Sequence, residues 1–178
     1  MKAVFLDIDG VIRPKSLPEG FYDYDQKTRK LILDLSNKYG VDYTKYPRDD
    51  VLSAYYEWDE SPIKRLKTFL IDTGALIISS TDWRREEQPN KMHDLLLLRG
   101  LAEFWYADNI IINSIPQGPE RRSLEINDSL KRYPIETFVV FDDMEKMKTY
   151  FPNNAVITND HLTSSDIAEA MKILKSNN

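Results

Sequence analysis

Apolar residues in this chain gather in short continuous runs, each closed by a polar or acidic residue. Ala3–Leu6 runs into Asp7, the Gly74–Ser79 segment ends in Ser79 and Ser80, and Thr137–Asp142 ends in Asp142 and Asp143. Asn109–Asn113, with three consecutive isoleucines, and the short Ala155–Ile157 have the same character. Runs of this length without alternation predict parallel strands covered on both faces. Between them the apolar spacing changes to the helical period. Ile63, Leu66, Phe69 and Leu70 form one stripe, with Ser61-Pro62 as its start signal and Gly74 as its stop. Ile167, Ala170, Met171 and Leu174 form another, preceded by a Thr163/Asp166 capping box. Further helices are predicted at Gln26–Tyr39, near Asp49–Trp58, at Met92–Leu98 and at Leu124–Leu130. Strand–helix alternation of this kind predicts an α/β fold with a doubly wound, Rossmann-like parallel sheet.

One stretch breaks the alternation. From Pro14 to Glu60 the chain leaves the sheet, with two predicted helices and many aromatics: Phe21, Tyr22, Tyr24, Tyr39, Tyr43, Tyr46, Tyr55, Tyr56 and Trp58. It reads as a small helical insertion after the first strand that packs its own mini-core, and it is placed to serve as a small cap as well. Residues 1–178 are expected to form a single domain containing this 14–60 insertion. Ser176-Asn177-Asn178 reads as a frayed end.

Composition narrows the options. Hydrophobic residues make up 42% and charged residues 30% of the 178, ordinary for a globular protein. No apolar run approaches the roughly 20 residues a membrane helix needs, so no membrane partner is expected. The N-terminal apolar run is short and ends in acids, unlike a signal peptide. Cysteine is absent, which removes disulfides, thiolate metal sites and cysteine nucleophiles and fits a reducing compartment, with a cytoplasmic location expected. The net charge of −5 argues against non-specific coating of nucleic acid. The only histidines are His93 and His161, and no G-x-S-x-G turn is present, so a Ser-His-Asp hydrolase is disfavoured.

The chemistry lies where the strands end. Asp7 and Asp9 stand one residue apart at the end of the first strand, and extended geometry would put them on the same side. Gly10 allows a sharp turn directly after them. Close carboxylates repel unless a cation or a shared proton sits between them, so the pair suggests a site handling a metal and a phosphate. In an open parallel sheet, sites form at the carboxyl ends of the strands. There the second strand would deliver Ser79, Ser80 and Thr81, and the fourth Asp142 and Asp143.

This set resembles the haloacid dehalogenase (HAD) superfamily of phosphatases and phosphotransferases. Its strand-D-x-D motif is matched by Asp7-Ile8-Asp9, its acidic pair after a strand by Asp142-Asp143, and its Ser or Thr after a strand best by Ser79, with Ser80 as the alternative. Its basic residue before the fourth strand is matched by Arg122, where the superfamily more often has lysine. Ser79-Ser80-Thr81-Asp82-Trp83-Arg84 and Arg122-Ser123-Leu124-Glu125-Ile126 are similar to strings in the capless or small-capped branch found in RNA-repair proteins. The resemblance implies a HAD-like fold and Mg²⁺ as cofactor. It implies Asp7 as nucleophile and Asp9 as general acid and base. Asp7, Asp142 and Asp143 would be metal ligands, with Asp9 adding its main-chain carbonyl. Ser79 and Arg122 would act on the phosphoryl group, and Gly10, Ser80 and Arg84 would contact substrate.

The expected activity is therefore phosphate-monoester hydrolysis through an aspartyl-phosphate. The expected partner is a phosphorylated substrate: a nucleic-acid end, a nucleotide, a phosphoprotein or a small metabolite. Two other readings stand beside it. A receiver-like phosphoacceptor domain shares the sheet type, but normally carries its acidic pair after the first strand. A non-catalytic HAD-fold binding protein would usually have lost Asp7 or Asp9. The sequence does not fix the oligomeric state.

Overall fold

The computed structural model of the protein describes residues 1–17, 22, 23 and 25–176. Phe21 and Tyr24 of the insertion, and Asn177 and Asn178 of the C-terminal end, lie outside the described residues. Five parallel strands form one sheet in the order β3-β2-β1-β4-β5. They are β1 (Lys2–Leu6), β2 (Leu76–Ser79), β3 (Trp105–Asp108), β4 (Thr137–Asp142) and β5 (Ala155–Ile157). The strand order reverses between β1 and β4, so the crevice between their carboxyl ends is the natural ligand position. The architecture is the doubly wound α/β sheet expected from the apolar runs.

Strand alternation sends β1 side chains to two cores. Val4 and Leu6 join Ile77, Val139, Phe141 and Val156 on one face. Ala3 and Phe5 join Ile78, Val140 and Ala155 on the other. The first face is covered by α1 (Gln26–Tyr39), α2 (Arg48–Tyr56), α3 (Glu60–Thr73), α4 (Lys91–Leu98) and α7 (Ser164–Ser176). The second is covered by α5 (Pro119–Arg132) and α6 (Met147–Tyr150). Among the described residues, no helix is long and apolar enough to cross a membrane.

Local signals set most helix ends. Asp25 caps α1 by accepting from the Thr28 N–H, and Gly40 ends it in the left-handed region. Thr163 and Asp166 bond reciprocally, as the capping-box pattern predicts. The start of α3 differs from expectation. Asp59, not Ser61, is the cap, and its carboxylate accepts from the Ser61 N–H at 3.0 Å. Pro62 falls within the first turn, where its missing N–H has no intrahelical partner to lose.

Two further expectations are corrected. The third strand is Trp105–Asp108, not the isoleucine run at 109–113. Only its first residue still reaches the sheet, the Asn109 N–H donating to the Ser79 carbonyl at 3.0 Å among the described bonds; beyond that the backbone bonds buried side chains. The Asn109 and Ile110 carbonyls accept from Arg84, and the Ile112 N–H donates to Glu125. Nor does the 14–60 insertion build a core of its own. Tyr43, Val51, Leu52, Ala54 and Trp58 enter the same buried cluster as Val4, Leu6 and Ile77. Polar contacts fasten it to α4: the Tyr43 hydroxyl donates to the Asp94 carbonyl at 2.8 Å, and Lys91 pairs with Asp50.

Candidate active site

The first strand delivers Asp7 into the crevice. Its ladder continues one step past β1, with the Asp7 N–H donating to the Phe141 carbonyl at 3.0 Å. The chain then wraps tightly, and the N–H groups of Val11, Ile12 and Arg13 all point at the Ile8 carbonyl. The ladder thus ends at Asp7, and the turn carries Asp9, which bridges to Arg13. Asp7 is buried, whereas the Asp9 side chain is 46% exposed. Asp9 accepts from Arg13 Nη1 at 3.0 Å through Oδ1 and from Trp83 Nε1 at 2.7 Å through Oδ2.

Asp7, Asp142 and Asp143 come together. Each offers one carboxylate oxygen, and these oxygens lie within 4.8 Å of one another. Arg122, reaching in from α5, donates through Nη1 to Asp7 Oδ2 and to Asp142 Oδ2, the latter at 2.7 Å. Lys15 lies 2.8 Å from Asp143 Oδ2, and Asp82 lies 3.4 Å from Arg122 Nη2. Burial pushes the Asp7 carboxyl up; Arg122 opposes this, and Asp142 adds to it. Burial raises the Asp142 carboxyl in the same way, again against Arg122. Burial works to lower Arg122, but the two carboxylates outweigh it and hold the guanidinium firmly charged. Three carboxylates face Arg122 and the half-exposed Lys15, so negative charge remains uncompensated. An all-oxygen, carboxylate-rich donor set with that surplus fits a hard divalent cation such as Mg²⁺.

Gly10 has a structural task instead of the expected substrate contact. Its φ is +73°, and a Cβ built there would stand 2.6 Å from Asp143 Cβ. Its N–H donates to the Arg13 carbonyl, and its own carbonyl accepts from Thr158 Oγ1 at 2.6 Å. Both backbone groups are thus committed, and the missing side chain is what lets Asp143 approach. Gly10→Ala is expected to cost about 2 kcal/mol or more through left-handed strain and overlap, and to weaken divalent-ion binding. Chemical denaturation and calorimetric titration measure the two losses.

The choice between Ser79 and Ser80 follows from register. Leu6 pairs with Ser79, and the Ser80 N–H donates to the Leu6 carbonyl at 2.8 Å, so Ser80 lies alongside Asp7. By alternation Ser80 shares the face of Ile78 and of α5, the helix that carries Arg122. A buried chain runs the same way: Ser129 Oγ donates to Asn109 Oδ1, and Asn109 Nδ2 donates to Ser80 Oγ. Ser79 faces the opposite side, where its buried hydroxyl finds no hydrogen-bond partner among the described residues and burial pushes up the nearby Asp108 carboxyl.

Arg84 is also corrected. It is 4% exposed, and its donors are taken up inside the protein. Nε donates to the Thr81 carbonyl, Nη1 to the Asn109 and Ile110 carbonyls, and Nη2 to Glu125 Oε2 at 2.7 Å. It neither faces substrate nor touches Asp142 or Asp143; it ties the β2 loop to α5 three residues from Arg122. Arg84→Ala would leave Glu125 buried beside Arg121 alone. It is expected to cost about 3–5 kcal/mol, the usual penalty for breaking a buried ion pair. Urea unfolding measures it.

Asp82, Asn109, Thr158 and the indole of Trp83 are the participants that sequence reasoning missed. Trp83 belongs to the Ser79–Arg84 string, but that string does not reveal its bond to Asp9.

A family model, that of the HAD domain in Swiss Army Knife RNA repair proteins, matches residues 3–167. The chain belongs to that family. Comparison with curated proteins gives no match. The matched span contains the five strands, apart from Lys2 at the start of β1, and every residue of the acidic cluster. Membership in this HAD family assigns the protein to a superfamily of phosphatases and related hydrolases and displaces the receiver-like reading.

Proposed function

We propose that this HAD domain is a Mg²⁺-dependent phosphatase that hydrolyses a phosphate monoester through an aspartyl-phosphate on Asp7. The observation that supports it most is the convergence of Asp7, Asp142 and Asp143 on one point, with Arg122 bridging two of them. Asp7, Asp142 and Asp143 would hold the metal, together with the Asp9 carbonyl. When bound there, Mg²⁺ supplies positive charge that offsets repulsion between the phosphoryl oxygens and the attacking carboxylate.

The chain's own groups supply the rest. Burial raises the Asp7 carboxyl, and Arg122 opposes that rise, favouring the ionised form the attack needs. The Asp7 carboxylate attacks phosphorus as the bond to the leaving oxygen breaks, and that oxygen takes a proton from the Asp9 carboxyl. In the second half, Asp9 takes a proton from water. The water oxygen attacks phosphorus, and the bond to Asp7 breaks, releasing phosphate. Ser80 accepts from Asn109, which leaves its own hydrogen to donate to a phosphoryl oxygen. The serine role therefore passes to Ser80 from Ser79.

The substrate class favoured is a phosphorylated nucleic-acid end, supported by the RNA-repair setting named for the family. Nucleotides, phosphoproteins and small phosphorylated metabolites are the alternatives. Phosphate release with Mg²⁺ from 3′-phosphorylated oligonucleotides, nucleoside monophosphates, phosphopeptides and sugar phosphates separates them. Absence of turnover above the Asp7→Asn variant on every one would overturn the phosphatase reading. Binding of Mg²⁺ and a phosphate analogue in that case would favour a non-catalytic HAD-fold protein.

A further inference from the structure

The Asp9 carboxylate is fixed from two directions, and both lead into the 14–60 excursion. Trp83 Nε1 donates to Oδ2 at 2.7 Å, and the Trp83 ring meets Trp58 edge-on with centroids 5.6 Å apart. Arg13 Nη1 donates to Oδ1 at 3.0 Å, while its Nε donates to Glu57 Oε2 at 2.6 Å. Glu57 is itself held by the Tyr22 hydroxyl at 2.5 Å and the Ser53 hydroxyl at 2.6 Å. Burial works to raise the Glu57 carboxyl, but these three donors overcome it, so Glu57 remains an anion that anchors Arg13. The Asp59 N–H donates to the Ile12 carbonyl at 2.9 Å, locking the same turn from the same side.

We propose that Trp83 and Arg13 are positioning residues for Asp9, and that the excursion sets the aim of Asp9 through Trp58 and the Arg13–Glu57–Tyr22 chain. The inference rests on the reading of Asp9 as proton donor to the leaving oxygen. A carboxylate has about four acceptor sites, so two donors fix its plane without exhausting it. A group anchored at both oxygens keeps one orientation, where a 46% exposed aspartate would otherwise sample several rotamers. The excursion is thus wired to the group that moves the proton, in addition to its Lys15 contact with Asp143.

The test uses leaving-group dependence. An alkyl phosphate needs its departing oxygen protonated, whereas a p-nitrophenyl ester, with its acidic leaving group, hardly does. Trp83→Phe keeps the ring against Trp58 and removes the donor. With Mg²⁺, kcat/KM for an alkyl phosphate, which reports the transfer to Asp7 and not the later hydrolysis common to both esters, is expected to fall at least tenfold further than for the p-nitrophenyl ester. General-acid contributions of about 10²–10⁴ leave room for that difference. Glu57→Gln is expected to show the same selectivity, more weakly. In metal-free protein, Asp9→Asn is expected to shift the Trp83 indole N–H resonance, a readout independent of turnover. Equal losses on both esters, or an unmoved indole resonance, would overturn the positioning role while leaving the phosphatase reading intact. Full activity of Glu57→Gln on both esters would overturn the part assigned to the excursion. A wild-type protein inactive on both esters and on every substrate of the panel above would overturn the phosphatase reading and this inference with it.

Discussion

Asp7→Asn is expected to abolish Mg²⁺-dependent phosphate release without weakening the fold. Removing the nucleophile of a concerted catalytic set costs on the order of 10⁴–10⁶ in kcat in well-studied hydrolases, and no neighbour can replace Asp7 here. Asp142 bonds to Arg122 and to the Met144 N–H, and Asp9 is bonded by Trp83 and Arg13. Stability should move the other way. Burial makes a charge on Asp7 costly, and the Asp142 carboxylate beside it adds to that cost. The neutral amide removes that repulsion and leaves Arg122 paired one to one with Asp142. Thermal unfolding in the absence of metal should therefore occur at or above the wild-type temperature, while activity vanishes. A variant that both unfolds early and loses activity would show that Asp7 belongs to the scaffold and not to the chemistry. Active sites commonly keep a costly charge of this kind for function.

That opposition also explains which parts of the site were readable from sequence. Asp7, Asp142 and Asp143 were legible because each follows a continuous apolar run, and a parallel sheet brings the ends of such runs to one edge. Arg122 was legible only through the family resemblance, as the basic residue before the fourth strand. The bonds that aim Asp9 were not. Trp83 lies 74 residues from Asp9, and Glu57 lies 44 residues from Arg13, so no local pattern links them. Arg84 was misread for a related reason. An arginine after a strand looks the same in sequence whether it turns out toward substrate or inward to Glu125. The choice was made by the Asn109 and Ile110 carbonyls, which needed donors once that segment left the ladder. The same competition moved the third strand. The isoleucines at 110–112 carry the stronger apolar signal, yet Trp105–Asp108 pairs with β2. The insertion's helices were predicted from their periodicity, whereas its sharing of the main core depends on tertiary fit alone.

Removing Arg122 should have the largest combined effect on fold and activity. Its guanidinium is the only group that touches Asp7 and Asp142 at once among the described residues. Arg122→Ala would leave two buried carboxylates facing each other without a counter-charge. Breaking a buried pair in this way typically costs about 3–5 kcal/mol, a large part of the stability of a domain of this size. The loss should depend on metal. With the guanidinium gone, the three-carboxylate cluster becomes a better cation site, so Mg²⁺ should return part of the stability. An ion at about 100 times its Kd returns about 2.7 kcal/mol. Activity should fall by a further factor of about 10²–10³, as for loss of one donor that stabilises the transition state. Arg122→Lys should recover much of the fold, because an ammonium restores the charge. It should recover less of the rate, because one nitrogen replaces a fork that also reaches toward Asp82 at 3.4 Å. Melting curves of both variants with and without Mg²⁺ measure this. An Arg122→Ala protein as stable as wild type, with no gain from Mg²⁺, would mean that the carboxylates do not converge as the structure has them.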